Sequence, residues 1–244
     1  MTFENIGKGK FSATDPLLQA LEVLEPFPGE HFVNVEFRTE KGIQRAIDLN
    51  LIGSGLVDLV IASRLYQVKD IFNPPSNQAR CFTLMRHPVD RAVSLFYYLK
   101  QAAHERSYNK EMAHMTIEEY LDSKKAESNW MTRSLTPGKL QGGVLNDEDL
   151  YKAMKFLRTK CVIGLTSQFS VSYRRFEAYF ELKPVKEAGC ENKIMSELAL
   201  TTKPHPDVKE GSSVWRAFED LNSFDMKLYN YAVQLFQEQG KFFE

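Results

Sequence analysis

Short apolar runs alternate with helical stripes along most of the chain. Leu17, Leu18, Leu21 and Leu24 recur at helical spacing behind Thr14-Asp-Pro16, a capping residue with proline in the first turn, and Pro26-Phe-Pro-Gly29 closes that helix. Phe32 to Phe37 alternates apolar and polar residues and predicts a strand. Ile43, Ala46, Ile47 and Leu51 predict a helix over Glu40 to Asn50, and a further helix is expected from Arg64 to Phe72. Three compact apolar runs, Val57 to Ala62, Cys81 to Met85 and Cys161 to Leu165, suit buried parallel strands.

Each of the last two runs leads into a helix. Pro88 opens a long one with Val89, Val93, Phe96 and Tyr97 on its stripe, and Ser167 starts another that ends near Phe180. Thr116 with Glu119 forms a capping box ahead of Ile117 to Leu121, and Asn146 or Asp147 starts a helix through Leu157. After a polar loop from Lys183 to Gly211, helices are expected from Ser213 to Leu221 and from Phe224 to Gln239. Strands alternating with helices predict an α/β fold: three layers, a mostly parallel sheet flanked by helices, and a helical C-terminal part. The 244 residues are expected to form one domain. In such sheets ligands sit where strand ends lead into helices, so the Met85-Arg86 junction is the first place to look.

Composition narrows the chemistry. Lys+Arg total 31 against 32 for Asp+Glu, a net charge of -1, which argues against a nucleic-acid-binding surface but leaves room for a local anion pocket. No apolar run is long enough to span a membrane, and neither a signal sequence nor a lipidation motif is evident, so a soluble chain is expected. Cys81, Cys161 and Cys190 are an odd number at wide spacing, unlike a disulfide scaffold or a zinc site, and Cys81 and Cys161 are expected as buried thiols. The five histidines show no helical ligand spacing, so no metal is expected.

Anion chemistry concentrates in Arg86-His-Pro-Val-Asp-Arg91-Ala-Val-Ser94. Arg86 leaves the end of a strand, Pro88 fixes a first helical turn with unpaired N–H groups, and Ser94 can add a hydroxyl. Arg91, Ser94 and Tyr98 fall on one helical face. Two guanidiniums and a hydroxyl suit a phosphate, although a surface helix start with a salt-bridged arginine gives the same pattern.

Arg86-x-Pro88-x-x-Arg91-x-x-Ser94-x-x-Tyr97 resembles the 3′-phosphate-binding strand–loop–helix of sulfotransferases that use 3′-phosphoadenosine-5′-phosphosulfate (PAPS). Asn129-Trp-Met-Thr-Arg133-Ser-Leu135 resembles the Asn-x-x-Thr-Arg-x-Leu segment of carbohydrate-type members, and Cys161 to Thr166 with Phe169 and Tyr173-Arg-Arg-Phe176 resembles their next strand and helix. The resemblance implies a P-loop NTPase-like fold and sulfuryl transfer from PAPS to a hydroxyl or amine of a carbohydrate-type acceptor. It also implies Arg86 and Ser94 on the donor's 3′-phosphate, no metal, and residence in the Golgi lumen.

Two departures stand beside it. The family's N-terminal strand and lysine-containing glycine loop has only Ile6-Gly-Lys-Gly-Lys-Phe-Ser12 as a counterpart, and the chain is expected to lack a complete 5′-phosphosulfate loop. Where several members carry a His or Glu, this chain has Arg64, which cannot accept a proton, and Asp58 belongs to the expected strand, so the catalytic base is unassigned. Asn129 and Arg133 are either acceptor-cleft residues or parts of a capped helix. His205 is a loop histidine that a closing loop could bring over the adenosine, and His87 is expected to bond to backbone. The alternative function is a relative that keeps the 3′-phosphate pocket and binds nucleotide or a partner without transfer. A phosphotransferase lacks support, because G-x-x-x-x-G-K-[ST] is absent.

Overall fold

A computed structural model describes residues 19–72, 79–102, 110–123, 125–182 and 206–243. It is mixed α/β and divides into two compact units, Met1–Ala79 with Pro137–Gln141, and Arg80–Thr136 with Gly142–Glu244.

In the first unit, β1 (Val23–Phe27) and β2 (Glu30–Val33) form an antiparallel hairpin with Val23 opposite Val33. Gly29 takes φ +80 at its turn, a conformation glycine adopts without a Cβ penalty. The helix expected through Leu24 is therefore a strand at its end, because Pro26 to Gly29 turns the chain back on itself rather than merely stopping a helix. The strand expected over Phe32 to Phe37 ends at Val33. Helix α1 (Glu40–Asp48) begins at Thr39, whose hydroxyl accepts from the Gly42 N–H, and buries Ile43 and Ala46. Helix α2 (Leu65–Val68) continues into a 3₁₀ turn, Lys69–Phe72.

Val33, Ile43, Ala46, Leu51, Val68 and Ile71 make the core of this unit. The run Val57 to Ala62 is not a strand. Val57, Val60 and Ala62 pack on the core, but Leu59 is 60% and Ile61 71% exposed, so it lies against the core by one edge as an irregular segment. Asp58 is exposed on it.

The second unit is built on two parallel strands, β3 (Cys81–Met85) and β4 (Cys161–Leu165), in register from Cys81 opposite Cys161 to Met85 opposite Leu165. Among the described residues each sheet has two strands. β4 is buried along its whole length, packed against α6 (Asp147–Lys160), α7 (Phe169–Phe180) and α9 (Ser223–Gly240). β3 departs from the fully buried strand expected: Phe82 and Leu84 are each 37% exposed, and Phe82 leans on Phe176 and Phe180 of α7.

Helices α3 (Pro88–Gln101), α4 (Ile117–Asp122) and α8 (Ser213–Leu221) close a second core of Val89, Val93, Phe96, Leu99, Tyr120 and Phe218. Helix α5 (Trp130–Ser134) is a single short turn. The capping box ahead of α4 is complete: the Glu119 N–H donates to Thr116 Oγ1 at 3.1 Å and the Thr116 N–H to Glu119 Oε2 at 2.8 Å. Asn146 and Asp149 form the same device ahead of α6.

Cys81 and Cys161 are joined by a disulfide across a Cα–Cα distance of 4.5 Å, which corrects the expectation of two buried thiols. They are 80 residues apart in sequence, but each opens its strand and the register sets them side by side.

Candidate anion-binding site

The chain leaves the buried end of β3 at Met85, passes through Arg86 and His87, and enters α3 at Pro88. Proline suits this position because its missing N–H has no helical partner to lose. His87 occupies the cap position without making a side-chain cap, and the first helical bond runs from the Arg91 N–H to the His87 carbonyl at 2.9 Å. Among the described residues no side chain caps the N–H groups of Val89 and Asp90, the arrangement that draws anions to helix starts.

Arg86 and one face of α3, Arg91, Ser94, Leu95 and Tyr98, line an open pocket of about 280 Å³. Arg86 and Ser94, paired by sequence spacing, therefore meet at one place. Among the described residues, none hydrogen-bonds or ion-pairs with the half-buried Arg86 guanidinium or with the Ser94 hydroxyl.

Arg91 differs. Its Nη2 lies 3.2 Å from each oxygen of Glu127, and its guanidinium sits 4.5 Å from the centre of the Trp130 ring. Burial pushes the Glu127 carboxyl above its ordinary value; the Arg91 charge and hydrogen bond oppose that shift, and the nearby Asp225 carboxylate adds to it. Arg91 reaches the pocket already partnered, so among the described residues the unbalanced positive charge on the pocket wall is that of Arg86.

His87 is held by aromatic rings rather than by the backbone hydrogen bond expected. It stacks on Trp215 at 5.2 Å and meets the edge of Tyr229 at 5.3 Å, and its buried Nδ1 has no hydrogen-bond partner among the described residues.

Asn129 and Thr132, in the segment that resembles the sulfotransferase Asn-x-x-Thr-Arg, serve the fold. Asn129 Oδ1 accepts from the N–H groups of Phe224 and Asp225 at the start of α9, at 2.8 and 3.1 Å. Asp225 in turn accepts from the Met131 and Thr132 N–H groups and from the Thr132 hydroxyl at the start of α5, at 2.7 to 2.9 Å. Asn129 takes φ +52, and asparagine tolerates that left-handed backbone better than most residues. Arg133 donates to the carbonyls of Ser128 and Gly143. Arg175 donates to the Phe236 carbonyl at 2.6 Å and stacks on the Phe236 ring, so it packs helix α7 against α9.

Arg64, in the first unit, is bound internally to the Arg38 carbonyl at 2.7 Å and Gln67 Oε1 at 3.1 Å, with Glu40 at 3.7 Å. The Ile6-to-Ser12 stretch and His205 lie outside the described residues.

Glu127 and Asp225 were not singled out from sequence. Asp225 carried a partial signal, an acid in the first turn of the helix expected from Phe224, but that placement reads as a complement to the helix dipole and hides its role for α5. Glu127 carried none.

No group of three or more His, Cys, Asp or Glu that could hold a metal ion occurs among the described residues. None of the described helices is long and apolar enough to cross a membrane. Comparison with family models, with curated proteins and with solved structures finds no match. What the pocket offers chemically is a guanidinium and a hydroxyl, neither engaged among the described residues, and a helix start, which together suit a phosphate or sulfate ester.

Proposed function

We propose that this chain is a PAPS-dependent sulfotransferase domain acting on a carbohydrate-type hydroxyl or amine, with a three-layer P-loop-like fold. The observation that carries the reading is that Arg86 and Ser94 line one pocket at the end of a parallel strand with their donors unengaged among the described residues. In the reaction the acceptor oxygen or nitrogen forms a bond to sulfur while the bond from sulfur to the 5′-phosphate oxygen breaks. The acceptor loses its proton to a base, and adenosine 3′,5′-bisphosphate leaves. Arg86 and Ser94 would hold the 3′-phosphate and fix the donor's orientation, a contribution through positioning rather than bond making. The Cys81–Cys161 disulfide supports placement in an oxidising compartment such as the Golgi lumen.

A second reading is a domain that binds the nucleotide without transferring sulfate. Two arginines that could have served the donor or acceptor, Arg91 and Arg64, are already partnered by Glu127 and by Arg38 and Gln67. One experiment separates the readings. Calorimetric titration with adenosine 3′,5′-bisphosphate and a radiolabelled-sulfate transfer assay on a glycan panel are run on the same preparation. Binding with transfer supports the enzyme, binding without transfer supports the second reading, and no bisphosphate binding refutes both.

A further inference from the structure

The pocket has a second arginine that the 3′-phosphate reading does not use. Arg91 lines the same cavity as Arg86 and Ser94, yet one of its nitrogens is shared between both oxygens of Glu127 while its plane rests against Trp130. A guanidinium has five N–H donors in a rigid fork, so an Arg91 held through Nη2 and stacked on one face still has donors to offer. What limits its pull on an anion is the Glu127 charge, not its orientation.

We infer that Glu127 is a positioning residue that aims Arg91 into the pocket and, by its charge, sets how strongly the pocket holds a dianion. This rests on the anion-pocket reading above and adds a control to it. With Glu127 ionised, Arg91 brings almost no net charge to the site. With Glu127 neutral, Arg91 stands beside Arg86 as a second cation on the same wall, and the pocket changes from one suited to a single negative charge to one suited to two. Trp130 keeps the guanidinium plane in place in either state.

The groups that face Glu127 come from three helices: Arg91 from α3, Tyr120 from α4, whose hydroxyl accepts from the Glu127 N–H at 3.4 Å, and Asp225 from α9. Tyr120 is buried and its own titration is displaced upward, away from the neutral range. Asp225 adds negative charge to the same neighbourhood and pushes the Glu127 carboxyl further up, while burial raises Asp225 itself. His87 adjoins Arg86 along the chain, so a Glu127 variant is the necessary control.

Inorganic sulfate is the cleanest probe, because it stays a dianion from pH 5 to 8 and its affinity reports only the protein's titration. Sulfate and adenosine 3′,5′-bisphosphate are titrated into the full chain as wild type, Glu127→Gln and Arg91→Met, at steps across that range. At pH 8 Glu127→Gln is expected to bind sulfate on the order of tenfold more tightly than wild type, the weight of one released charged hydrogen bond. The ratio shrinks toward one as pH falls, because wild-type Glu127 then takes up its own proton. Arg91→Met binds more weakly than Glu127→Gln at every pH, and its acid-side gain sets in at higher pH than that of wild type, because Glu127 has lost the cation that opposed the rise of its carboxyl.

Should Glu127→Gln fail to fold, the wild-type gain on acidification and its displacement to higher pH in Arg91→Met decide the matter. Equal sulfate affinity of Glu127→Gln and wild type at pH 8, a ratio that does not change with pH, or no sulfate binding by any form overturns the inference. Tighter sulfate binding by Glu127→Gln with no binding of the bisphosphate by any form upholds the role of Glu127 and refutes the sulfotransferase reading, so the two can fail separately.

Discussion

Asn129 and Asp225 each cap the other's helix: the Asn129 carboxamide oxygen takes the first N–H groups of α9, and the Asp225 carboxylate takes those of α5. Both side chains are buried, Asp225 to 1% exposure. Two N-terminal donors of each helix are thereby satisfied by protein groups, and two segments more than ninety residues apart in sequence are locked together. Replacing Asp225 by alanine strands the Met131 and Thr132 N–H groups and the Thr132 hydroxyl in the interior. The expected cost is roughly 3 kcal/mol or more in urea unfolding. Asp225→Asn is expected to cost less, on the order of 1–2 kcal/mol, because the amide oxygen can still serve Thr132 while its NH₂ opposes the Met131 donor. A loss below half a kcal/mol in Asp225→Ala would show that water replaces the carboxylate.

The same burial dictates a pH dependence. Burial raises the Asp225 carboxyl above its ordinary 3.8, against the opposing hydrogen bonds from Thr132 and Met131, and raises Glu127 above 4.5 against Arg91. A carboxyl whose pKa is higher folded than unfolded binds more protons in the folded state between the two values. Its stabilising contribution is complete below the unfolded pKa and is lost as pH rises through the folded one. The plot of unfolding free energy against pH is therefore expected to fall less steeply above pH 4 in Asp225→Asn than in wild type. Identical slopes would refute it.

The Cys81–Cys161 bridge closes a loop spanning 80 residues of sequence. Loop-closure entropy alone then makes the oxidised protein more stable than a Cys81→Ser/Cys161→Ser protein by about 4 kcal/mol. The measurement is denaturant unfolding of the full chain with and without a dithiol reductant, with thiol alkylation and mass analysis to count the free cysteines. Reduction that leaves the midpoint unchanged would contradict it.

Gly164 shows why β4 can be buried on every side. A Cβ at this position would stand 2.5 Å from Phe176 Cζ, 3.0 Å from Ser172 Cβ and 3.1 Å from Leu84 Cδ1. Helix α7 approaches the strand at this residue, and Ser172 fastens the approach by hydrogen bonds with both the N–H and the carbonyl of Leu165. Gly164→Ala is expected to destabilise by about 1–3 kcal/mol through overpacking, since three neighbours must yield together. Unchanged thermal and denaturant midpoints would mean that the Phe176 ring turns aside freely.

These cases show which features the sequence carried. The capping box at Thr116 is written within four residues and forms as expected; at Asn146 only a helix start was expected, and the structure completes it with a second box through Asp149. Cys81 to Met85 and Cys161 to Leu165 are short, mostly apolar runs followed by a helix start, and both are strands. Val57 to Ala62 has the same apolar density, but its fate depends on whether a neighbouring strand pairs with it, and its own residues do not encode that. The disulfide depends on strand order and register, which bring two strand-opening cysteines level. Asn129 was visible as a motif residue, but its function as a cap is set by Asp225, and the Arg91–Glu127 pair likewise joins α3 to the segment before α5. Local codes were legible; relations between distant segments were not.

Arg86 and Ser94 provide the last prediction. If both hold one phosphate, their removal must be coupled. Arg86→Ala is expected to weaken adenosine 3′,5′-bisphosphate by roughly 2 kcal/mol, since it takes away a charged donor, and Ser94→Ala by about 1 kcal/mol, for a neutral hydroxyl. Neither side chain supports a described neighbour by a hydrogen bond, so the losses should appear in binding and not in the melting temperature. In the double variant the phosphate has lost its charged anchor and is no longer held where the hydroxyl would reach it. The combined loss then falls short of the sum, with an interaction energy on the order of 0.5 kcal/mol or more. Strict additivity would mean that the two residues act on different groups of the ligand. Binding unchanged in both single variants would place the nucleotide elsewhere and remove the observation on which the proposed function stands.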